Sequence, residues 1–324
     1  MNAGFNDLNS YVQYDHVCED TEIFSSTKGT EVIDLSIVIP TKDVSEYLHD
    51  LLLKMYNDLA STNIHFEVFV VDDGSSDGTL QILRKFAVDH SSNFYLLESA
   101  TGSGAGRARN HAIKGLLEGE YVYFVDSDDT VDFMALAKAT RTAKETGADL
   151  LIFPYNLEYV HSNYSTTKGM MKSDARIWND VMAKHNSSNS DLKLAALGLI
   201  NYPWKQLTLS SLIHDTGIFF GPSQIQNDVQ FHWTSIAAAR NIYFYNQSIS
   251  ICTHRLFDSD VRTQLTQVQT SSRMGVLDAL GMTQRALALQ GAFDLDEGEQ
   301  IFKVYGKFFN TITTWAEVSC LGTV

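Results

Sequence analysis

The sequence predicts an α/β protein with a mostly parallel sheet, helices on both of its faces and a C-terminal helical extension. The first observation behind this prediction is that apolar runs alternate with amphipathic helical segments from Leu35 to Phe153, a pattern typical of parallel strands joined by crossover helices. The second is that two of these runs end in carboxylates, at Asp72 and at Asp126. Because ligands bind at the carboxyl ends of such strands, these acids indicate the functional edge of the sheet.

Hydrophobic periodicity places each element of this first half. Short β-branched and aromatic runs predict five buried strands, at residues 35–40, 66–71, 94–97, 121–125 and 149–153. Apolar residues at helical spacing predict the helices between them, at residues 44–59, 80–88, 105–117 and 133–146. Pro40 ends the first strand because proline has no amide hydrogen to donate, and Gly147 ends the last of these helices.

The second half of the chain is less regular. The polar and aromatic residues 155–171 predict a hairpin or loop, and residues 184–191 predict a mobile loop. A helix at 225–239, a strand at 242–245 and a strand-like run at 248–251 follow, and residues 264–316 are helical with a break near 291–298. We therefore expect an N-terminal arm (1–34), a sheet-forming half (35–153), a second half (154–260) and a helical extension (261–324).

Charge and cysteine content exclude several classes of protein. The 324 residues contain 24 Lys+Arg and 39 Asp+Glu, for a net charge of −15, which disfavours nucleic acid as a partner. Cys18, Cys252 and Cys320 are too far apart in the sequence for a disulfide framework or a zinc cluster. Neither a membrane-spanning apolar stretch nor a signal peptide is predicted. We expect a cytoplasmic protein, with contact to the inner face of a membrane left open.

The two acidic clusters favour a nucleotide and a cation. In Asp72-Asp73-Gly74-Ser75, adjacent acids at a strand tip point to opposite faces, and helix capping accounts better for the following Ser76 or Asp77. In Asp126-Ser127-Asp128 the acids are two positions apart, which suits a hard cation with oxygen ligands; the alternative is that Asp128 and Asp129 cap the next helix. Together the clusters predict a divalent cation and a phosphate-containing substrate.

A glycine-rich segment opens the helix that begins near Ala105. Residues 102–110 superficially resemble a dinucleotide fingerprint, but the third glycine would fall at Arg107, so the match fails. We interpret the segment as a flexible loop from which Arg107 or Arg109 contacts a base or a phosphate. The alternative is a helix start with solvated arginines.

Four sequence blocks in this order resemble the nucleotide-binding half of a family 2 glycosyltransferase with the Rossmann-like GT-A fold: residues 36–41, 70–79, 106–110 and 124–129. The resemblance implies that Pro40 and Thr41 border the nucleotide and that Asp72 or Asp73 binds its base. It also implies the remaining donor-side roles. Arg109 would hold the nucleotide, Asp126 and the adjacent Ser127 would lie at the ribose or metal, and Asp128 would coordinate Mn²⁺ or Mg²⁺ on the diphosphate.

The resemblance extends more weakly to residues 203–231. It makes Asp228 the catalytic base, with Asn227 standing where the family usually has an acid; the alternative is that Asp228 is an ordinary residue near a helix start. His254 would reach the metal and Arg255 the diphosphate, unless both simply pack. Trp204 is either a platform for a sugar ring or a buried aromatic.

The resemblance implies a metal-dependent, inverting glycosyltransferase. It would move a sugar from a nucleotide-diphosphate sugar, most simply a UDP-sugar, to a hydroxyl of a saccharide or lipid-linked acceptor; a homo-oligomer is left open. One alternative is a sugar-phosphate nucleotidyltransferase, which would need a glycine-rich basic loop where this chain has residues 40–44, which include no glycine. The other is a non-catalytic nucleotide-binding module, which Asn227 keeps open.

Overall fold

The computed structural model describes residues 23–24, 32–90, 92–99, 102, 104–114, 117–184, 187–246, 250–258 and 275–321, without the side chains of 23–24 and 315–321. Strands of the first half are β1 Ile23–Phe24, β2 Leu35–Thr41, β3 Phe66–Asp72, β4 Phe94–Glu98, β5 Tyr121–Phe124, β6 Thr130–Val131 and β7 Leu150–Ile152. Those of the second half are β8 Tyr155–Val160, β9 Ser165–Lys168, β10 Gln206–Leu209, β11 Ile242–Phe244 and β12 Cys252–Phe257.

The helices follow in the same chain order. Those of the first half are α1 Ser45–Ala60, α2 Thr79–Asp89, α3 Ala105–Ile113 and α4 Phe133–Thr146. The second half contributes α5 Lys172–Ala183, α6 Asn189–Leu197, α7 Ser210–Thr216 and α8 Asp228–Ala238, and the C-terminal extension contributes α9 Gly275–Leu289 and α10 Gly298–Leu321. Short 3-10 turns lie at Pro203–Lys205 and Ala292–Asp294.

The central sheet has eight strands in the order β1-β4-β3-β2-β5-β10-β7-β11. Strands β4, β3, β2 and β5 are mutually parallel, β11 is parallel to β7, and β1 and β10 run antiparallel to their neighbours. The predicted mostly parallel GT-A sheet is therefore confirmed. The parallel register pairs Thr41 with Asp72, so the loops that follow β2, β3 and β5 meet at one edge.

Helices cover both faces of this sheet, as the alternation of side chains along a strand requires. Leu35, Ile37 and Ile39 of β2 face a core shared with α1, α2 and α4. Val38 faces the opposite core, to which α3, α7 and α8 contribute. A third core joins α8 to the extension through Trp233, Leu280, Ile301 and Tyr305.

A second sheet, with strand order β6-β12-β8-β9, is not among the sequence predictions. Its β8–β9 pair confirms the hairpin option for residues 155–171. Strand β12 lies parallel to β8, with Arg255 opposite Glu158, and antiparallel to β6. Through β6, this sheet brings His254 next to the acidic loop that follows β5.

Several local predictions are corrected or fall outside the described residues. The mobile loop predicted at 184–191 is wrong at its end, because Ser188 and Asp191 form a capping box that starts α6; residues 185 and 186 are not described. The strand predicted at 248–251 lies instead at 252–257, with 247–249 not described. Within the described residues of the extension, two helices separated by the Ala292–Asp294 turn confirm the helical pattern and its break. No helix in the described parts of the chain is long and apolar enough to cross a membrane.

Candidate active site

A cavity of about 690 Å³ opens at the carboxyl edge of β2, β3 and β5. Most of the residues predicted for the site line it: Pro40, Thr41, Asp73, Arg109, Asp126, Ser127, Asp128, Asp228 and His254. Neither Asp72 nor Arg255 is part of its lining. The fold thus joins residues from both predicted halves of the chain around one cavity.

The adjacent acids Asp72 and Asp73 occupy different surroundings. The carboxylate of Asp72 accepts hydrogen bonds from the Ser75 amide (3.0 Å) and the Ser75 hydroxyl (2.5 Å), and so shapes the turn after β3. The carboxylate of Asp73 accepts one from the Gly104 amide (2.7 Å) and borders the cavity. Of the two acids that the sequence left open, Asp73 is the one that lines the cavity.

A clamp between two loops supports this side of the cavity. The carboxylate of Asp43, whose φ is 51°, accepts a hydrogen bond from the Ser76 amide at 2.7 Å. The carboxylate of Asp77 accepts from the amides of Thr79 (2.8 Å) and Ser45 (3.1 Å), at the starts of α2 and α1. Burial opposes its charge, but hydrogen bonds from Thr79 and Ser45 outweigh that effect and lower the pKa of Asp77 to about 2. Lys42 also lines the cavity here, although no role was predicted for it from the sequence.

Arg109 connects the two sides of the cavity. Its guanidinium donates to the Asp126 carboxylate at 2.5 Å and to the side-chain oxygen of Asn227 at 3.2 Å. The group lies 5.0 Å from the centre of the Phe220 ring, and the residue is only 5% exposed. A planar guanidinium with several donors suits such a bridge. Asn227 therefore supplies an acceptor to Arg109 even though it is not an acid.

Asp228 is the first residue of α8 and borders the cavity. A carboxylate is favoured at a helix N-terminus, where the helix dipole is positive. Burial raises the pKa of Asp228 to about 6, with Asp126 acting in the same direction and with Arg109 and Lys205 opposing it. The carboxylate is therefore mostly ionised at neutral pH yet basic enough to accept a proton.

Three potential metal ligands converge beside Asp228's cavity. Ligand atoms of Asp126, Asp129 and His254 all lie within 4.8 Å of one another. Nδ1 of His254 is 2.9 and 3.0 Å from the two carboxylate oxygens of Asp129, which leaves Nε2 for another partner. Burial alone lowers the pKa of His254, but the surrounding carboxylates, led by Asp129, outweigh it and raise that pKa to about 9.

This donor set suits a divalent cation. Carboxylate oxygens are ligands for Mn²⁺ and Mg²⁺, and an imidazole favours the transition metal. A carboxylate that fixes a ligating histidine through its other ring nitrogen is a common supporting arrangement, and Asp129 is placed for it. The sequence proposed Asp126, Asp128 and His254; the structure adds Asp129, while Asp128 lines the cavity outside that close group.

Sequence reasoning considered Asp129 only as a helix cap. The cap of α4 is Asp132, whose carboxylate accepts from the Ala135 amide at 2.9 Å. Asp129 instead has a fully buried side chain and also accepts from the Arg255 amide at 2.9 Å. The signal in the sequence was that Asp129 is the third acid, after Asp126 and Asp128, to follow the buried strand β5.

Arg255 supports the acidic loop from outside the cavity. Its guanidinium donates to the Glu158 carboxylate at 3.1 Å and to the backbone oxygen of Asp128 at 3.2 Å, and it lies 5.5 Å from the centre of the Tyr47 ring. The contact with a diphosphate that the resemblance implies for Arg255 stays a prediction.

The wall beside Asp228 is aromatic, and the extension contributes to it. Trp204 is only 1% exposed and stacks on Tyr202, with ring centres 4.4 Å apart. The Trp204 ring also lies 4.9 Å from that of His254, which is itself 5.3 Å from the ring of Tyr202. Trp204 is thus a buried aromatic that borders the cavity, and Ile312 of α10 lines the same cavity. The sequence predicted the helices of the extension but not that one of them lines this cavity.

A mostly parallel sheet with acidic loops and a helix-starting aspartate around one cavity defines an α/β protein of the GT-A fold. Comparison with known proteins gives the family: the model for glycosyl transferase family 2 matches residues 36–188. Residues 36–188, just under half of the chain, therefore form a domain that matches glycosyl transferase family 2.

Among curated relatives, the chain is similar to the poly(ribitol-phosphate) beta-N-acetylglucosaminyltransferase TarS of Staphylococcus aureus, with 38% identity over 124 residues. That match covers 37% of this chain and only 21% of the relative, so the chain spans about a fifth of its length. A crystal structure of S. aureus TarS 1-349 with UDP-GlcNAc has a TM-score of 0.64 at 22% identity, covering 86% of this chain and 72% of TarS 1-349.

The mannosyltransferase PcManGT of Pyrobaculum calidifontis, solved with GDP-Man and Mn²⁺, is a more distant structural match. It has a TM-score of 0.51 at 14% identity and covers 99% of this chain and 85% of that protein. At these identities both solved structures support the fold alone.

Proposed function

We propose that this protein is a metal-dependent, inverting glycosyltransferase that moves a sugar from a nucleotide-diphosphate sugar, in particular a UDP-sugar, to an acceptor hydroxyl. The observation that carries the proposal is that Asp228 and Asp126 border the same cavity, where Arg109 connects the second half to the acidic loop. A base and a donor-binding loop in one cavity are what glycosyl transfer requires.

The donor is assigned to the side formed by the loops after β2, β3 and β5. Pro40, Thr41 and Asp73 border the part of the cavity that would take the base, and Asp126, Ser127 and Asp128 the part that would take the ribose and diphosphate. The presence of UDP-GlcNAc in the TarS structure supports a UDP-sugar. The name of TarS supports a hydroxyl of a polyol-phosphate polymer as one acceptor, beside the saccharide and lipid-linked acceptors.

Asp126, Asp128 and His254, with Asp129 orienting the histidine, would hold the divalent cation. When bound, it would supply electrostatic stabilisation of the charge that develops on the departing diphosphate. The Mn²⁺ reported with PcManGT supports this assignment.

The protein's own groups account for the remaining steps. The Asp228 carboxylate accepts the proton of the acceptor hydroxyl while that oxygen forms a bond to the anomeric carbon. The bond between the anomeric carbon and the diphosphate oxygen breaks in the same step, with inversion at the carbon. Arg109 keeps Asp126 in position during this step, and its charge would offset that of the diphosphate.

A screen of nucleotide sugars with Mn²⁺ tests the proposal, with nucleotide release measured with and without candidate acceptors. We expect UDP release from one or more UDP-sugars that is abolished by EDTA. Release of pyrophosphate from a nucleoside triphosphate and a sugar phosphate would instead support the nucleotidyltransferase. Nucleotide binding without any turnover would support the non-catalytic module.

A further inference from the structure

Lys205 is a buried cation that the proposed mechanism leaves without a role. It ends the 3-10 turn directly after Trp204 and is only 1% exposed. Its ammonium donates a hydrogen bond to the backbone oxygen of Ile200. A buried ammonium costs several kcal/mol unless nearby acceptors and opposite charges offset that cost, so its surroundings need an explanation.

Asp174 on α5 provides the first opposite charge. Its side chain is fully buried and accepts hydrogen bonds from the Tyr155 hydroxyl (2.9 Å) and the Ile200 amide (3.2 Å). The amide hydrogen of Ile200 therefore points to Asp174, while its carbonyl oxygen accepts from Lys205. Residue Ile200 is held between a buried anion and a buried cation.

This bridge fixes a wall of the active-site cavity. Every residue from Ile200 to Trp204 lines the cavity, and Lys205 follows directly in the chain. The bond from Lys205 back to Ile200 therefore closes the segment on itself. Because Asp174 holds the same end, the position of this wall depends on both charges.

The 3-10 turn that ends in Lys205 packs against α8, the helix that Asp228 begins, so Asp228 is a second acid on which the charge of Lys205 can act. The charged groups acting on Asp228 are Arg109 from α3, Asp126 from the loop after β5, and Lys205 from the 3-10 turn. Burial lowers the pKa of Lys205 to about 7, while the carboxylates of Asp174 and Asp228 act in the opposite direction and keep the group mostly protonated near pH 6. The charge of Lys205 also acts on His232 of α8. Burial and Lys205 hold the pKa of His232 well below its usual value, so that ring is neutral.

We propose that Lys205 is a positioning residue for the transfer step: its ammonium holds the wall from Ile200 to Trp204 and stabilises the negative charge of Asp228. This inference rests on the proposed function of Asp228 as the base. Lys205 would then be a second cation that acts on Asp228, in addition to Arg109. Unlike Arg109, it belongs to the second half of the chain.

Two uncharged substitutions separate the effect of the charge from that of the hydrogen bond. Lys205→Gln removes the charge but keeps a donor for Ile200, whereas Lys205→Met removes both, and Lys205→Arg keeps the charge. We expect Lys205→Gln and Lys205→Met to raise the midpoint of the acidic limb of kcat/KM by about one pH unit, measured with UDP-GlcNAc and Mn²⁺. We expect Lys205→Arg to leave the limb unchanged and Lys205→Met to lower kcat about tenfold or more.

Lys193→Met is the matched control, because Lys193 is also buried but pairs with Glu297 (2.6 Å) away from the cavity. This substitution should lower the melting temperature without changing the midpoint of the acidic limb of kcat/KM. A titration of ¹³C-carboxyl-labelled aspartate by NMR, with the Asp228 signal assigned through Asp228→Asn, gives the same midpoint without turnover. Inactive wild-type protein would overturn the proposed function, whereas an Asp228 midpoint equal in wild type and Lys205→Gln would overturn the role of Lys205.

Discussion

The aspartates of the candidate site have different surroundings, which suit them to different tasks. Asp77 receives amide hydrogen bonds from two helix starts, and its pKa is lowered to about 2. Burial instead raises the pKa of Asp228 to about 6. A carboxylate with a low pKa serves as a fixed structural charge, whereas one with a raised pKa can exchange a proton. The surroundings, and not the residue type, single out Asp228 as the proposed base.

The pH dependence of transfer follows from the raised pKa of Asp228. The carboxylate must be ionised to accept a proton, so kcat/KM should be level above pH about 6 and fall tenfold per unit below it. Rates with saturating Mn²⁺ over a range of acidic to neutral pH measure this limb. A limb centred near the ordinary aspartate value of about 4 would contradict the assignment.

Sequence motifs predicted which residues gather at the site but not which way each one points. The acidic clusters and Arg109 were recognisable because they follow buried strands or open a helix. The choice between Asp72 and Asp73 depends on the bonds that Ser75 makes within the turn. The burial of Asp129 depends on β12, more than a hundred residues away in the chain, and no local pattern contains that information.

At the scale of elements, the close approach of α3 to the start of α8 sets the position of Asp228, the proposed base. A Cβ atom at Gly106 would lie 2.7 Å from Cβ of Asn227 and 2.8 Å from the backbone oxygen of Gly221. Real Cβ atoms do not approach other atoms this closely, so only glycine fits. The contact lets Arg109, one turn further along α3, reach Asn227.

Gly106→Ala should therefore push α8 away from α3 and displace Asp228. We expect a loss of about 1–3 kcal/mol in the free energy of unfolding, as for other overpacked sites, together with reduced kcat. Chemical denaturation and initial rates measure the two effects.

Gly281→Ala is the control for this substitution. Gly281 lies within α9, and a Cβ atom at this position would have no neighbouring residue within 4 Å. Alanine should therefore stabilise the protein by about 0.5–1 kcal/mol through helix propensity. Equal effects of the two substitutions would show that the contact at Gly106 has no special importance.

The elements that the sequence predicted well are those in which apolar residues recur in a regular pattern over several positions. Strands β2 to β5 and helices α1 to α4 follow local patterns of hydrophobicity. Strands β6 and β10 are short, with two and four residues, and exist because they pair with strands distant in sequence. The helix start at Ser188 was missed because its capping box lies in a polar run that resembles a loop.

At the scale of the whole molecule, the C-terminal helices pack against elements that form the candidate active-site cavity. Trp233 of α8 packs against Tyr305 and Phe308 of α10, with ring centres 4.9 and 5.3 Å apart. Further along α10, Ile312 lines the cavity. The extension thus packs against the helix that begins with Asp228 and forms part of the cavity wall.

Because both halves surround the cavity, a bound donor should stabilise the whole fold. A ligand at one hundred times its Kd adds about 2.7 kcal/mol, so UDP with Mn²⁺ should raise the melting temperature by several degrees. EDTA should remove most of this shift, and Asp126→Asn should make the shift insensitive to Mn²⁺. A shift of the same size with and without the cation would contradict the assignment of the metal ligands.

The substitution Asp228→Asn tests the central claim, that this aspartate is the base in a nucleotide-sugar transferase. The variant keeps the size of the side chain and removes its ability to accept a proton. We predict that kcat for transfer falls by about 10²–10⁴ while the Kd for UDP with Mn²⁺, measured by calorimetry, stays within about twofold. Full turnover in the variant, or loss of UDP binding in parallel with loss of turnover, would contradict the account.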